Sequence, residues 1–159
     1  MQSNAQHLLN TIQKAIPLLQ QISDADACVK PAPGKWSYKE IIGHLIDSAG
    51  NNQQKFVRCI QQSGVNMPPY EQDPWVAIQH YNDANWKDVL GTWFELNKHI
   101  AHIMQHVPEN TLQNEIYIGD KGPFTLEFIV RDYPEHLKHH LKAILPQADF
   151  LQNVFKMVY

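Results

Sequence analysis

Apolar positions recur along most of this chain at three- and four-residue steps, the spacing of one face of an α-helix. Ala5, Leu8, Leu9, Ile12, Ala15, Ile16, Leu19 and Ile22 make the first such stripe. They predict an amphipathic helix over about residues 4–23, kinked or broken at Pro17. Lys30-Pro31-Ala32-Pro33-Gly34 then forms a rigid connector. Ser37-Tyr38-Lys39-Glu40 is a capping-box pattern that opens a second helix. Ile41, Leu45, Ala49, Asn52, Phe56, Cys59 and Ile60 carry its inner face to about Gln62. A third stripe, Trp86, Val89, Leu90, Trp93, Asn97, Ile100, Met104 and Val107, predicts a helix over about residues 83–107. The fourth starts near Thr125 as N-cap, carries Leu126, Ile129, Val130, Tyr133, Leu137, Leu141 and Ile144, and stops at Pro146.

The connections are uneven. Ser63 to Asn82, with Gly64, Pro68, Pro69 and Pro74, is too long for a simple turn between antiparallel neighbours. Connections of this length often cover sites. Glu115 to Phe124 alternates weakly around Gly119-Asp120-Lys121-Gly122, as a small hairpin or an extended loop. The apolar tail, Phe150, Leu151, Val154, Phe155 and Val158, is expected to dock on the helices or on a second subunit. Four long amphipathic helices without a clear strand set predict an all-α four-helix bundle. It has a long crossover between helices 2 and 3 and forms a single domain over residues 1–159.

Composition narrows the function. With 159 residues, 43% hydrophobic and 18% charged, the chain can bury a core and is not disordered. No run approaches the ~18 apolar residues of a membrane span, and the first residues lack the pattern of a secretory signal. A cytoplasmic protein is the expectation. Cys28 and Cys59 are too few for a disulfide framework and are expected to be reduced. A formal net charge of −3 with scattered lysines and arginines argues against nucleic acid as a partner.

The unusual count is nine histidines. On a helical wheel of about 100° per residue, His99, His102 and His106 face away from the third stripe. His139 also points outward. His136 and His140, four residues apart, share one face of the fourth helix and border its apolar stripe. Two imidazoles at that spacing can chelate one ion. On the second helix His44 sits at the margin of the inner face, with Asp47 and Asn51 on the same flank. Together, His44, His136 and His140 would give three ligands and leave a coordination position for water or substrate. Asp47 or Asn51 would orient a ligand or that water.

Several segments in order then resemble one family. They are Gly34-Lys35-Trp36-Ser37, Glu40-Ile41-Ile42-Gly43-His44-Leu45-Ile46-Asp47-Ser48, Asn51-Asn52 and Tyr70-Glu71-Gln72-Asp73-Pro74-Trp75. Tyr81, Trp86, Trp93 and Asn97 continue the match, and Asp132-Tyr133 with His136-Leu137-Lys138-His139-His140-Leu141 closes it. Over nearly its whole length the chain resembles the DinB-like superfamily of bacterial four-helix-bundle proteins. The resemblance implies a bundle with an atypical crossover, often dimeric. It also implies a divalent metal, commonly nickel or zinc, with iron or manganese as further candidates, on His44, His136 and His140. Relatives include thiol-S-transferases that use low-molecular-weight thiols and proteins described as metal-dependent hydrolases. Three positions depart from the pattern. Gln53 stands where some relatives carry histidine, Lys55 where arginine is usual, and Pro134 lies two residues before His136.

The expected function is that of a metal-dependent enzyme activating a thiol or a water, with Trp75 and Tyr70 helping to close the pocket. The expected partners are a small-molecule substrate and a second copy of the chain, with no nucleic acid and no membrane. The alternative is a non-catalytic metal-binding stress-response protein, which would need a fourth ligand to close its site. Asp47 is the group nearest to that role. A third reading, an interaction module without metal, leaves the three inward histidines unexplained.

Overall fold

The computed structural model describes residues 1–152. Four long helices build it: α1 (Gln2–Leu19), α3 (Tyr38–Gln61), α5 (Trp86–Gln105) and α6 (Leu126–Ile144). Short helices α2 (Asp24–Ala27) and α4 (Gln72–Ile78) lie in the connections. Three strands complete the chain: β1 (Val65–Met67), β2 (Glu115–Ile118) and β3 (Lys121–Thr125). Within the described residues no helix is long and apolar enough to cross a membrane.

The helix starts follow their caps. Ser37 Oγ accepts from the Glu40 backbone N–H at 3.2 Å, and the Glu40 carboxylate accepts from the Ser37 N–H at 2.8 Å, closing the expected capping box. Thr125 Oγ1 likewise accepts from the Phe128 N–H. The first helix ends at Leu19, short of the sequence expectation, because Ser23 caps α2 instead. The third starts at Trp86, because Asn85 is its N-cap and Tyr81–Asp83 form a separate 3₁₀ turn. Pro17 and Pro134 both lie inside continuous helices.

The principal packing pairs α1 with α5 and α6, and α3 with α5 and α6. Helices consecutive along the chain therefore do not all sit side by side. The core runs through Leu8, Ile12, Leu45, Phe56, Trp93 and Leu137, all essentially inaccessible. Cys28 and Cys59 are free. Of the apolar tail, Leu151 is buried and Phe150 packs against the core. Val154, Phe155 and Val158 lie outside the described residues.

The sequence showed no clear strand set, yet a small sheet of order β1-β2-β3 exists. The hairpin β2–β3 is antiparallel and turns at Gly119, whose φ of +59° is left-handed. β1, inside the crossover, pairs parallel with β2, with Val65, Asn66 and Met67 opposite Ile116, Tyr117 and Ile118. Three residues beside two prolines carry too little alternation to announce a strand, and the pairing spans about fifty positions of sequence. The sheet fastens the crossover to the α5–α6 connection and sets both beside the face that α3 turns toward α6.

Candidate metal centre

α3 carries one polar stripe through an otherwise apolar inner face. His44, Ser48, Asn52 and Lys55 all fall within about 80° of one another on the wheel, and all four are buried. His44 has no exposed surface. It lies deeper than the stripe margin suggested, because the Trp36 ring, 5.0 Å away between centroids, covers it. From α6, His136 and His140 meet it. Ring centroids lie 5.4 Å apart for His44–His136, 4.5 Å for His44–His140 and 4.7 Å for His136–His140. One nitrogen from each ring lies within 4.8 Å of the others. His139 is exposed, as are His99, His102 and His106.

Burial is the main influence on all three imidazoles. It pulls the His44 pKa down to about 4, against the opposing charge of Asp73. His136 falls to about 3 through burial and then the charges of His44, His139 and Lys55. His140 falls to about 2 through burial and the neighbouring histidines. At neutral pH each ring is therefore uncharged and keeps a lone pair for an ion.

The residues present fit a divalent cation. Both ring nitrogens of His44 are buried with no hydrogen-bond partner among the described residues, and each such orphan costs about 1–3 kcal/mol. Tetrahedral binding at 2.0–2.1 Å sets ligand nitrogens about 3.4 Å apart. Small ring rotations reach that spacing from the arrangement seen. His136 Nδ1 lies 3.4 Å from Ser48 Oγ, a contact that fixes the ring and directs Nε2 elsewhere. Sequence reasoning passed over Ser48, although its place one turn after His44 is a usable signal.

Asp47 and Asn51 sit close in sequence but face other duties. Asp47 Oδ1 accepts from Tyr81 Oη at 2.7 Å and from Gln79 Nε2 at 2.6 Å, so this carboxylate holds the end of the crossover. Its other oxygen, Oδ2, is buried without a partner among the described residues, and burial raises its pKa. Asn51 Nδ2 donates to the Asp47 carbonyl at 2.9 Å. Among the described residues the ligand cluster consists of the three histidines alone.

A cavity of about 450 Å³ opens beside the cluster, lined by His44, His136 and Lys55 from the long helices and by Tyr70 and the tip of the β2–β3 hairpin from the connections. That volume is in the range of small-molecule sites. The Tyr70 ring lies 4.9 Å from that of Trp75, tilted by 51°; Trp75 is exposed and does not line the cavity.

The DinB superfamily family model matches residues 7–144. This chain belongs to the DinB superfamily. Among curated relatives it is similar to "Putative metal-dependent hydrolase YfiT" of Bacillus subtilis, at 23% identity over 112 residues and 70% of this chain. It is also similar to "Putative metal-dependent hydrolase OB0782" of Oceanobacillus iheyensis, at 22% over 111 residues and 70% of this chain. The chain spans 63% and 64% of the length of those two relatives. Among solved structures it superposes on YfiT from Bacillus subtilis with a TM-score of 0.82 at 21% identity, covering 91% of this chain and 83% of that one. That protein is described as a probable metal-dependent hydrolase with an unusual four-helix bundle topology. The DinB-like bundle expected from sequence is thus the fold observed, with the small sheet as an addition.

Proposed function

We propose that this DinB-superfamily member is a metal-dependent enzyme that activates a nucleophile, a water or a small thiol, against a substrate held in the cavity. The observation that carries the reading is His44. A histidine with no exposed surface and two unpartnered nitrogens, 4.5 Å from one neutral imidazole and 5.4 Å from another, is costly unless an ion shares its lone pair. His44, His136 and His140 would hold the ion. When bound, a divalent ion supplies Lewis acidity and favours the deprotonated form of water or thiol at neutral pH.

The chain's own residues do the rest. Three neutral donors, with no fourth protein ligand among the described residues, leave room for the nucleophile. Ser48 orients His136, and Trp36 keeps bulk water from His44. The cavity, which Trp36 does not line, admits a molecule of modest size. The names of the relatives support hydrolysis, and the resemblance to thiol transferases supports the thiol route. Nickel and zinc suit a three-imidazole site best, with availability deciding occupancy.

The test is metal content per chain of untagged protein, for wild type and for His136→Ala. The expected result is about one ion in the wild type and almost none in the variant. Parallel ester-hydrolysis and thiol-conjugation assays on the loaded protein then separate the two nucleophiles. An ion bound equally by both proteins would remove the site, and a loaded site inert in every assay would leave a non-catalytic metal protein.

A further inference from the structure

The polar stripe of α3 continues past the histidines. Lys55 lies eleven residues after His44, three turns along the same face, and is only 7% exposed. Its side chain contributes to the cavity wall. Among the described residues nothing accepts a hydrogen bond from its ammonium, and no carboxylate stands at ion-pair distance from it. Asp132 is the acidic group whose charge it feels, from further away. The stem is thus buried while the ammonium, without a protein partner among the described residues, is left to the cavity, where an incoming anion would meet it.

One turn earlier on the same wall stands Asn52, 9% exposed. Its Nδ2 donates to the Ser48 carbonyl at 2.9 Å, and its Oδ1 is buried with no donor among the described residues. Two residues one turn apart on the same cavity-lining stripe thus carry an unmatched cation and, just beneath the surface, an unmatched acceptor that a small rotation of the amide would turn to the cavity.

We propose that Lys55 and Asn52 form an anchoring subsite for a small molecule bearing a carboxylate with an N–H or O–H beside it. The ammonium meets the carboxylate and the Asn52 oxygen accepts from the neighbouring donor. A singly charged carboxylate matches the single ammonium of this stripe more closely than a phosphate dianion does. The proposal rests on the metal-site reading only for what the ligand's other end does. The anchor itself requires no ion.

The probes are N-acetylglycine and its uncharged counterpart N-acetylglycinamide, titrated into metal-free and zinc-loaded protein and followed by backbone amide chemical shifts. Wild type is expected to bind the acid at least tenfold more tightly than the amide in both states. Lys55→Met should erase that preference and, having lost an unpaired buried charge, unfold at a higher temperature than wild type. His140→Ala should lose zinc and keep the preference. Asn52→Leu should weaken both compounds alike. Equal binding of acid and amide to wild type, or no binding of either, overturns the proposal. So does a preference that survives Lys55→Met but vanishes with His140→Ala, since the carboxylate would then sit on the ion. Loss of zinc binding by wild type itself would sink the metal reading and leave the metal-free comparison to judge Lys55.

Discussion

The ring of Tyr81 fills the space that a side chain on Gly43 would need. A Cβ at position 43 would overlap the ring carbons, and the same ring carries Oη to 2.7 Å from Asp47 Oδ1. One missing methyl group on α3 therefore lets the end of the crossover lie flat on the helix, one residue before His44. Gly43→Ala is expected to cost about 1–3 kcal/mol through overpacking, or roughly 2–4 °C in melting temperature for each kcal/mol. Thermal unfolding checks this, and an unchanged midpoint would mean that the crossover shifts without penalty.

Asp47 separates charge from hydrogen bonding. Asp47→Asn keeps an acceptor for Tyr81 and Gln79 while removing a buried charge with one unpartnered oxygen. Its stability is expected within about 1 kcal/mol of wild type. Asp47→Ala removes the acceptor that Tyr81 and Gln79 share, leaving Tyr81 Oη to Gln79 Oε1 at 2.9 Å and Gln79 Nε2 to the Trp75 carbonyl at 3.2 Å, at about 1–3 kcal/mol. The loss should be local, with faster amide exchange over residues 72–83 and little change in α1.

Acid should destabilise the metal-free protein early. The three cluster histidines have folded-state pKa values well below the ordinary 6.5. Below that value the unfolded chain takes up protons that the folded chain refuses. The stability present above pH 6.5 is therefore lost as pH falls toward about 4, where His44 itself begins to titrate. Each histidine contributes at most about 1.4 kcal/mol per pH unit. Urea unfolding between pH 7.5 and 5 should show the decline, and His44→Gln should flatten it. A slope identical in the two proteins would contradict the burial argument.

Lys39 ties three segments together from a position only 2% exposed. Its Nζ donates to the Ala84 carbonyl at 2.6 Å and pairs with Asp24 at 2.9 Å. Lys39→Met strands the carbonyl and frees α2 from α3, at an expected cost of about 2–3 kcal/mol. The Asp24 side is exposed, so Asp24→Asn should cost much less than Lys39→Met, as melting temperatures of the two variants will show.

The helices were legible because their signals are local. The stripe of α3 and the Ser37–Glu40 box need only a few adjacent residues to be read, and the wheel placed His136 and His140 on one face. What escaped was set by distant chain. His44 looked marginal on its own helix because Trp36, which covers it, lies in the connector before the helix. Asp47 pairs with Tyr81, thirty-four positions away, so its partner was invisible from the α3 pattern. β1 is a strand only because β2 lies beside it. Lys55 stood out in the sequence only as a departure from the family's arginine; its place about 20° from His44 on the wheel already set it on the same inward stripe.

The parallel pairing of Val65–Met67 with Ile116–Ile118 divides the molecule's labour. Every histidine of the cluster stands on a bundle helix, while the far wall of the cavity belongs to the sheet and its adjoining loops. Replacing the Gly119–Asp120 turn, or the prolines after Met67, changes what can enter without touching a helix that carries an imidazole. Ligand preference and ion affinity are consequently free to diverge independently, and a library confined to the sheet side would retune one while leaving the other as it is.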